Sequence, residues 1–286
     1  MKRTTQLVSA TVLIVLTTAS ISLYSQKPIF EKNGIKIFES KGSPAYSDAE
    51  LKLASPYDGA LLKEGKDTFH FEVKNYELGA QTPDATQKLC ANSSKGQHIH
   101  FIMDNEPYVA SYSPQIVYDM KPGHHVLLAF LSRSYHESIK SKKAFVLKQF
   151  NVPVEATPKG TTLHRGDYTD KLSVFTKFDE SAPHLFYSRP KGEYVNEIET
   201  KRIMLDFYLV NCNLSPDGYK VRATINGNVF VLTKWEPYII EGLKLGEQKI
   251  KLELIDKTGQ LVKSPFNGVE RTFTLKTNMD EVPKKK

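Results

Sequence analysis

The sequence predicts an all-β protein of two tandem β-sandwich domains, and three observations carry that prediction. Short β-rich runs recur every ~8–12 residues with turn signals between them. No segment keeps a sustained helical period. The chain also repeats itself weakly. His98-Ile-His-Phe-Ile-Met-Asp-Asn sets against Val221-Arg-Ala-Thr-Ile-Asn-Gly-Asn, and the match runs without a gap through Tyr112-Ser-Pro114 on Trp235-Glu-Pro237 to Lys121-Pro-Gly123 on Lys244-Leu-Gly246. Upstream, Phe71-Glu-Val-Lys-Asn75 falls on Phe207-Tyr-Leu-Val-Asn211, with 13 extra residues in the first half around Gly79–Gln97. A repeat this long is a whole domain, not a solenoid unit of ~20–50 residues. The strand spacing makes each half an immunoglobulin-like sandwich.

The chain begins with Lys2 and Arg3, then Leu7 to Leu23 without a charge, then Ser25 before Gln26. That order reads as a secretory signal over 1–25. The alternative is an uncleaved membrane anchor, although the uncharged stretch falls just short of the ~20 residues that span a bilayer. The sandwich domains are expected at 46–155 and 182–276, with a polar linker at 156–181 and a basic tail at 277–286. In the second half, Lys249 to Leu254 alternates polar and apolar, and Asn226-Gly227 signals a hairpin.

The repeat also assigns faces. Ile250, Leu252 and Leu254 must point inward, because Lys249, Lys251 and Glu253 cannot. Their first-half equivalents are Leu127, Ala129 and Leu131, yet Val126, Leu128 and Phe130 on the opposite face are apolar too. The first domain's sheet is therefore expected to be covered on both sides. The second domain, the long insertion and a partner are the three possible covers.

Composition narrows the function. The net charge is +7, or +5 without Lys2 and Arg3, and the basic residues are dispersed, which argues against nucleic acid. Two cysteines exclude a disulfide scaffold and a multi-cysteine cage. Export would put Cys90 and Cys212 in an oxidising compartment, paired or free. There is no Gly-x-Ser-x-Gly, no His-Glu-x-x-His and no phosphate-cradling glycine loop. Cys90, His98, His100 and Met103 supply the residue types of a blue-copper site without its spacing.

Six of eight histidines lie in the first half: His70, His98, His100, His124, His125 and His136. His98 and His100 alternate, so they share one face of a strand. His125 has the parity of Leu127 on what should be a neighbouring strand, and Asp104 has the parity of the His98 pair. His98, His100, His125, His136 and Asp104 are the candidate ligands for zinc or copper, since such N/O sets suit both ions. Structural histidines bonded to backbone are the alternative.

The runs Gly96-Gln-His-Ile-His-Phe-Ile-Met-Asp-Asn-Glu-Pro-Tyr108 and Pro122-Gly-His-His-Val-Leu-Leu-Ala-Phe-Leu-Ser-Arg-Ser-Tyr-His136, with Pro183-His-Leu-Phe-Tyr-Ser-Arg-Pro-Lys-Gly192, carry a resemblance. The chain is similar, over nearly all its length after the leader, to uncharacterised exported two-domain proteins of Bacteroidetes-type bacteria. Some of those are labelled phosphopeptide-binding proteins. Forkhead-associated domains show Gly-Arg, Ser-x-x-His and Asn-Gly. Here Ser132-Arg-Ser-Tyr-His136 has one residue too many, and the Asn-Gly lies in the other half. The label leaves Arg133 and Arg189 as candidate phosphate ligands.

The expectation is a non-enzymatic exported binding protein for a peptide, protein or glycan, with no membrane span after cleavage. The loops Gly79–Gln97 and Arg133–Lys143 are its expected contacts. The alternative is a periplasmic metal-binding protein with a site inside the first domain alone.

Overall fold

The computed structural model describes residues 27–153 and 178–277. The expected leader, most of the linker and most of the tail lie outside the described residues. Strands β1 (Phe30–Lys32) and β2 (Ile35–Glu39) form a hairpin. Then come β3 (Glu50–Ser55), β4 (Gly65–Lys74), the short helix α1 (Ala85–Lys88), β5 (His98–Met103), β6 (Val109–Ser111), β7 (Gln115–Met120), β8 (Gly123–Ser132) and β9 (Phe145–Val152). The second half holds β10 (His184–Arg189), β11 (Gly192–Val195), α2 (Glu197–Lys201), β12 (Ile203–Val210), β13 (Lys220–Ile225), β14 (Asn228–Leu232), β15 (Tyr238–Glu241), β16 (Gly246–Ile255) and β17 (Val269–Lys276).

The all-β class is observed. Sheets β3-β4-β7 and β6-β5-β8-β9 face each other in the first sandwich, and β1-β2-β15-β12-β10 faces β11-β17-β16-β13-β14 in the second. Each pair of sheets encloses one core, around Phe69, Phe101, Leu127 and Phe150 in the first and around Phe207, Val221, Ile250 and Leu254 in the second. One assignment was invisible in the repeat. The hairpin β1–β2 precedes the first sandwich in sequence but extends the second, where Ile37 pairs with Ile240. The turn between β13 and β14 is the two residues Asn226 and Gly227, both at positive φ (46° and 80°), as a hairpin of the favoured hand requires.

The strand register corrects the repeat by one residue. Met103 pairs with Leu127 in the first sandwich, and Ile225 pairs with Ile250 in the second. Leu127 and Ile250 are equivalent core residues, so Met103 matches Ile225, not Asn226. The connection from β13 to β16 is one residue longer than its counterpart from β5 to β8. Ile99, Phe101 and Met103 therefore face the core, and His98 and His100 face away from it, because adjacent strand residues point to opposite sides.

That outward face is covered. Ile102, Tyr108, Val126, Leu128 and Phe130 pack against Phe186, Tyr208 and Val210 of the second sandwich. The Phe130 and Tyr208 rings stack with centroids 4.7 Å apart. Polar bonds fix the register of this contact. Tyr187 N donates to Asn105 Oδ1 at 2.9 Å. Asp206, fully buried on β12, accepts from Ser138 Oγ at 2.9 Å and from Lys140 Nζ at 2.8 Å, both across the interface. Cys90 and Cys212 are free thiols, and burial pushes them up to about 11 and about 12 respectively.

Asp206→Ala would leave the Lys140 ammonium without its buried partner. We expect a loss of about 3 kcal/mol of unfolding free energy, measured as a shift of the urea midpoint. A shift worth under about 0.5 kcal/mol, the range of ordinary surface substitutions, would show that this ion pair does not hold the sandwiches together.

Candidate metal centre

Three imidazoles meet at one end of the covered face. His98 and His100 come from alternate positions of β5, and His136 comes from the loop after β8. His98 Nε2 lies 2.9 Å from His100 Nε2 and 3.1 Å from His136 Nδ1. The ligand atoms of all three fall within 4.8 Å of one another. His98 and His100 are fully buried, and His136 partly so.

Local structure sets each ring. His98 Nδ1 bonds the Gly96 carbonyl at 2.8 Å, so its proton sits on Nδ1 and its Nε2 lone pair faces the other two rings. Gly96 holds that carbonyl in place at φ +84°, and a Cβ there would lie 2.2 Å from Gly79 O and 2.5 Å from Ala80 O. His100 Nδ1 bonds Ser188 Oγ of the second sandwich at 3.2 Å. The His100 ring stacks on Tyr108 at 3.6 Å and 9°. His136 occupies a tight turn at φ 67°, closed by His136 N donating to Arg133 O and Arg133 N donating to Glu137 O, both at 2.9 Å. A non-glycine residue in this region carries roughly 1–2 kcal/mol of strain, a cost retained where it aims a side chain.

The environment keeps the cluster neutral. Burial holds His98 down to about 4, and the charges of Arg189 and Lys191 act in the same direction. Burial likewise holds His100 and His136 well below the ordinary imidazole range. Three neutral imidazoles then point nitrogens at one spot. An imidazole nitrogen accepts one in-plane hydrogen bond, so His98 Nε2 cannot satisfy both neighbours.

The sequence placed two further ligands here, and the structure does not. His125 pairs with Asp104 at the opposite end of the sheet, because antiparallel pairing sets His98 beside Ser132 and Met103 beside Leu127. His125 Nδ1 donates to Asp104 Oδ2 at 2.6 Å and Nε2 donates to Lys121 O at 2.7 Å. Both partners only accept, so neither ring nitrogen keeps a lone pair for a metal. Burial alone would lower this histidine, but the Asp104 bond and charge outweigh it and raise it. The site also does not belong to the first domain alone, since Ser188, Arg189 and Lys191 border it from the second.

Neither arginine is displayed to solvent for phosphate. Arg133 is buried against Glu137 at 2.9 Å and also donates to Ser138 O and Pro44 O. Arg189 is buried, its Nε donating to the Tyr108 hydroxyl at 2.9 Å and its Nη1 to the Tyr194 hydroxyl at 2.6 Å. The two loops expected as free recognition surfaces clasp each other. Ser93 N donates to Ser134 O at 2.9 Å, and Ser134 N donates to Thr82 Oγ1 at 2.9 Å. Sequence reasoning missed Tyr108, Ser188 and Lys191. Their only signal was adjacency to the histidine and arginine motifs.

No protein-family model and no curated protein matches the chain, so the phosphopeptide label gains no support. Solved structures do match. The Clostridium thermocellum CbhA fibronectin(III)-like modules match at 11% identity and TM-score 0.27, over 82% of this chain and 99% of that one. SGBP-B of the Bacteroides ovatus mixed-linkage glucan utilization locus, solved with a mixed-linkage heptasaccharide, matches at 10% identity and TM-score 0.23, over 80% and 71%. Dimeric latent PorU from Porphyromonas gingivalis matches at 12% identity and TM-score 0.23, over 80% and 20%. Similarity at this level carries no argument about ligand or activity. Among the described residues, no helix is long and apolar enough to cross a membrane.

Two outcomes follow from this geometry. Neutral burial puts the folded value of His98, about 4, below its ordinary 6.5. Its contribution to stability is therefore full above about 6.5 and is lost as pH falls toward about 4. Across that window the urea midpoint should drop more steeply in the wild type than in His98→Gln/His100→Gln, and equal slopes would contradict neutral burial. Gly96→Ala should lower stability by about 2 kcal/mol, through the clash with Gly79 and Ala80. A thermal melt unchanged from the wild type would show that the backbone yields there.

Proposed function

We propose that the protein binds a transition-metal ion, zinc or copper, through His98 Nε2, His100 Nε2 and His136 Nδ1. It does so as a non-enzymatic binding protein, and with the 1–25 segment read as a leader it works outside the cytoplasm. The observation that carries the reading is the convergence of three neutral imidazole nitrogens, two of whose separations are 2.9 and 3.1 Å. Bonds of ~2.0–2.1 Å to one tetrahedral ion place nitrogen ligands about 3.3 Å apart. The third separation is within 4.8 Å, and rotation of the rings would bring the cluster to that spacing. A bound ion would accept every lone pair that the rings now compete to share.

Two supports come from the surroundings. The remaining nitrogens of His98 and His100 bond a carbonyl and a hydroxyl, the outer contacts that fix tautomer and ring direction in metal sites. The imidazole set also suits zinc and copper above calcium or magnesium, which prefer oxygen.

The test is metal content. Protein purified without an affinity tag and offered zinc or copper should retain close to one equivalent by mass spectrometry. His98→Ala/His100→Ala should lose it, and His125→Ala should keep it. A wild type that retains none, or an equal loss in His125→Ala, would refute the assignment.

A further inference from the structure

Among the described residues, buried Asp, Glu, Lys and Arg side chains have a partner of opposite charge, with one exception. Glu39 has Lys41 and Lys234, Lys88 has Asp84, Arg133 has Glu137, Asp206 has Lys140, and Glu253 has Arg222 and Lys251. Arg189, only 7% exposed, has only the hydroxyls of Tyr108 and Tyr194. Lys191 beside it donates to the Tyr108 carbonyl at 2.6 Å and lies 4.1 Å over the Tyr108 ring, again without a carboxylate. A guanidinium removed from water without a counter-charge is costly, so such a site draws an anion.

The hydrogen bonds say where that anion would sit. Arg189 Nε only donates, so the Tyr108 oxygen accepts from it, and the Tyr108 hydrogen is free to point elsewhere. It points at His136 Nδ1, 3.2 Å away. When a metal takes the Nδ1 lone pair, that hydrogen loses its acceptor and is left beside the metal. An ion held by three protein ligands keeps a further coordination position for an outside group. Tyr112 and Lys191, which lie against the rings of His98 and Tyr108, are each partly exposed at the edge of the cluster.

From this arrangement we infer that the metal centre carries a small oxyanion of the carboxylate type as its outside ligand, with Tyr108 donating a hydrogen bond to it and Arg189 and Lys191 supplying the counter-charge. The inference rests on the metal reading above. Three neutral imidazoles, a dication, Arg189 and Lys191 would otherwise gather four positive charges, and among the described residues no carboxylate bonds His98, His100, His136, Arg189 or Lys191. Tyr108 is a ligand-binding residue here, and Arg189 is the positioning residue that orients its hydroxyl.

The experiment uses the Cu(II)-loaded protein and two probes, azide and formate. Azide bound to Cu(II) adds a charge-transfer absorption, and formate competes it away. Dissociation constants are referred to metal-loaded protein, with metal content measured for every variant. Tyr108→Phe should weaken formate about ten- to a hundredfold, the worth of one hydrogen bond to a charged group. It should weaken azide less, since azide is the poorer acceptor. Lys191→Gln should weaken both, about threefold or more. If metal loads fully but neither anion changes the spectrum, the inference is overturned and the metal reading stands. If formate binds equally to wild type and Tyr108→Phe, the role of Tyr108 is overturned. If no metal loads, the metal reading falls and takes the inference with it.

Discussion

The sheet of β5 and β8 is apolar on both faces, and the rest of the molecule is arranged around that constraint. Leu127, Ala129 and Leu131 fill the first sandwich's own core, while Val126, Leu128 and Phe130 turn outward. An antiparallel sheet tolerates water on one side only if that side is polar. Here the second sandwich supplies Phe186, Tyr208 and Val210 as the cover. The two halves are thus parts of one packed structure, with their relative placement pinned by Asn105 and Asp206.

Covering that face explains the histidines. His98 and His100 stand on the covered side of β5, so docking the second sandwich buries them. Burial removes the solvation of the charged form and leaves the rings neutral. The same docking brings Ser188 to His100 and Arg189 to Tyr108. The site is a product of the interface, and its chemistry follows from where the strands place polar groups at the edge of an apolar contact.

Much of this was legible in the sequence. The two-residue period of Lys249–Leu254 and the Asn226-Gly227 turn gave the strands of the second half. The apolar character of both Leu127 and Leu128 gave the covered face. The pairing of His98 with His100 was plain from alternation, and His136 was named among the ligands. The distant pairings were not legible. His125 and Asp104 share the right residue types and parity, but antiparallel register carries them to the far end of the sheet, a displacement that parity cannot reveal. The gap-free repeat hid a one-residue difference between the β5-to-β8 and β13-to-β16 connections, so it set Met103 against Asn226 where the fold sets it against Ile225. Arg133 and Arg189 stood as candidate phosphate ligands, a role that needs exposed guanidinium groups. Their burial depends on partners, Glu137 nearby and Tyr108 about eighty positions away in sequence, that only the fold brings into place.

The most direct test of the account is the position of a bound metal. Crystals of the protein grown with zinc, with data collected on both sides of the zinc absorption edge, would give an anomalous peak. That peak is expected within about 2.0–2.1 Å of His98 Nε2, His100 Nε2 and His136 Nδ1. A peak at His125 and Asp104, or histidine rings still bonded to one another with no peak between them, would contradict it.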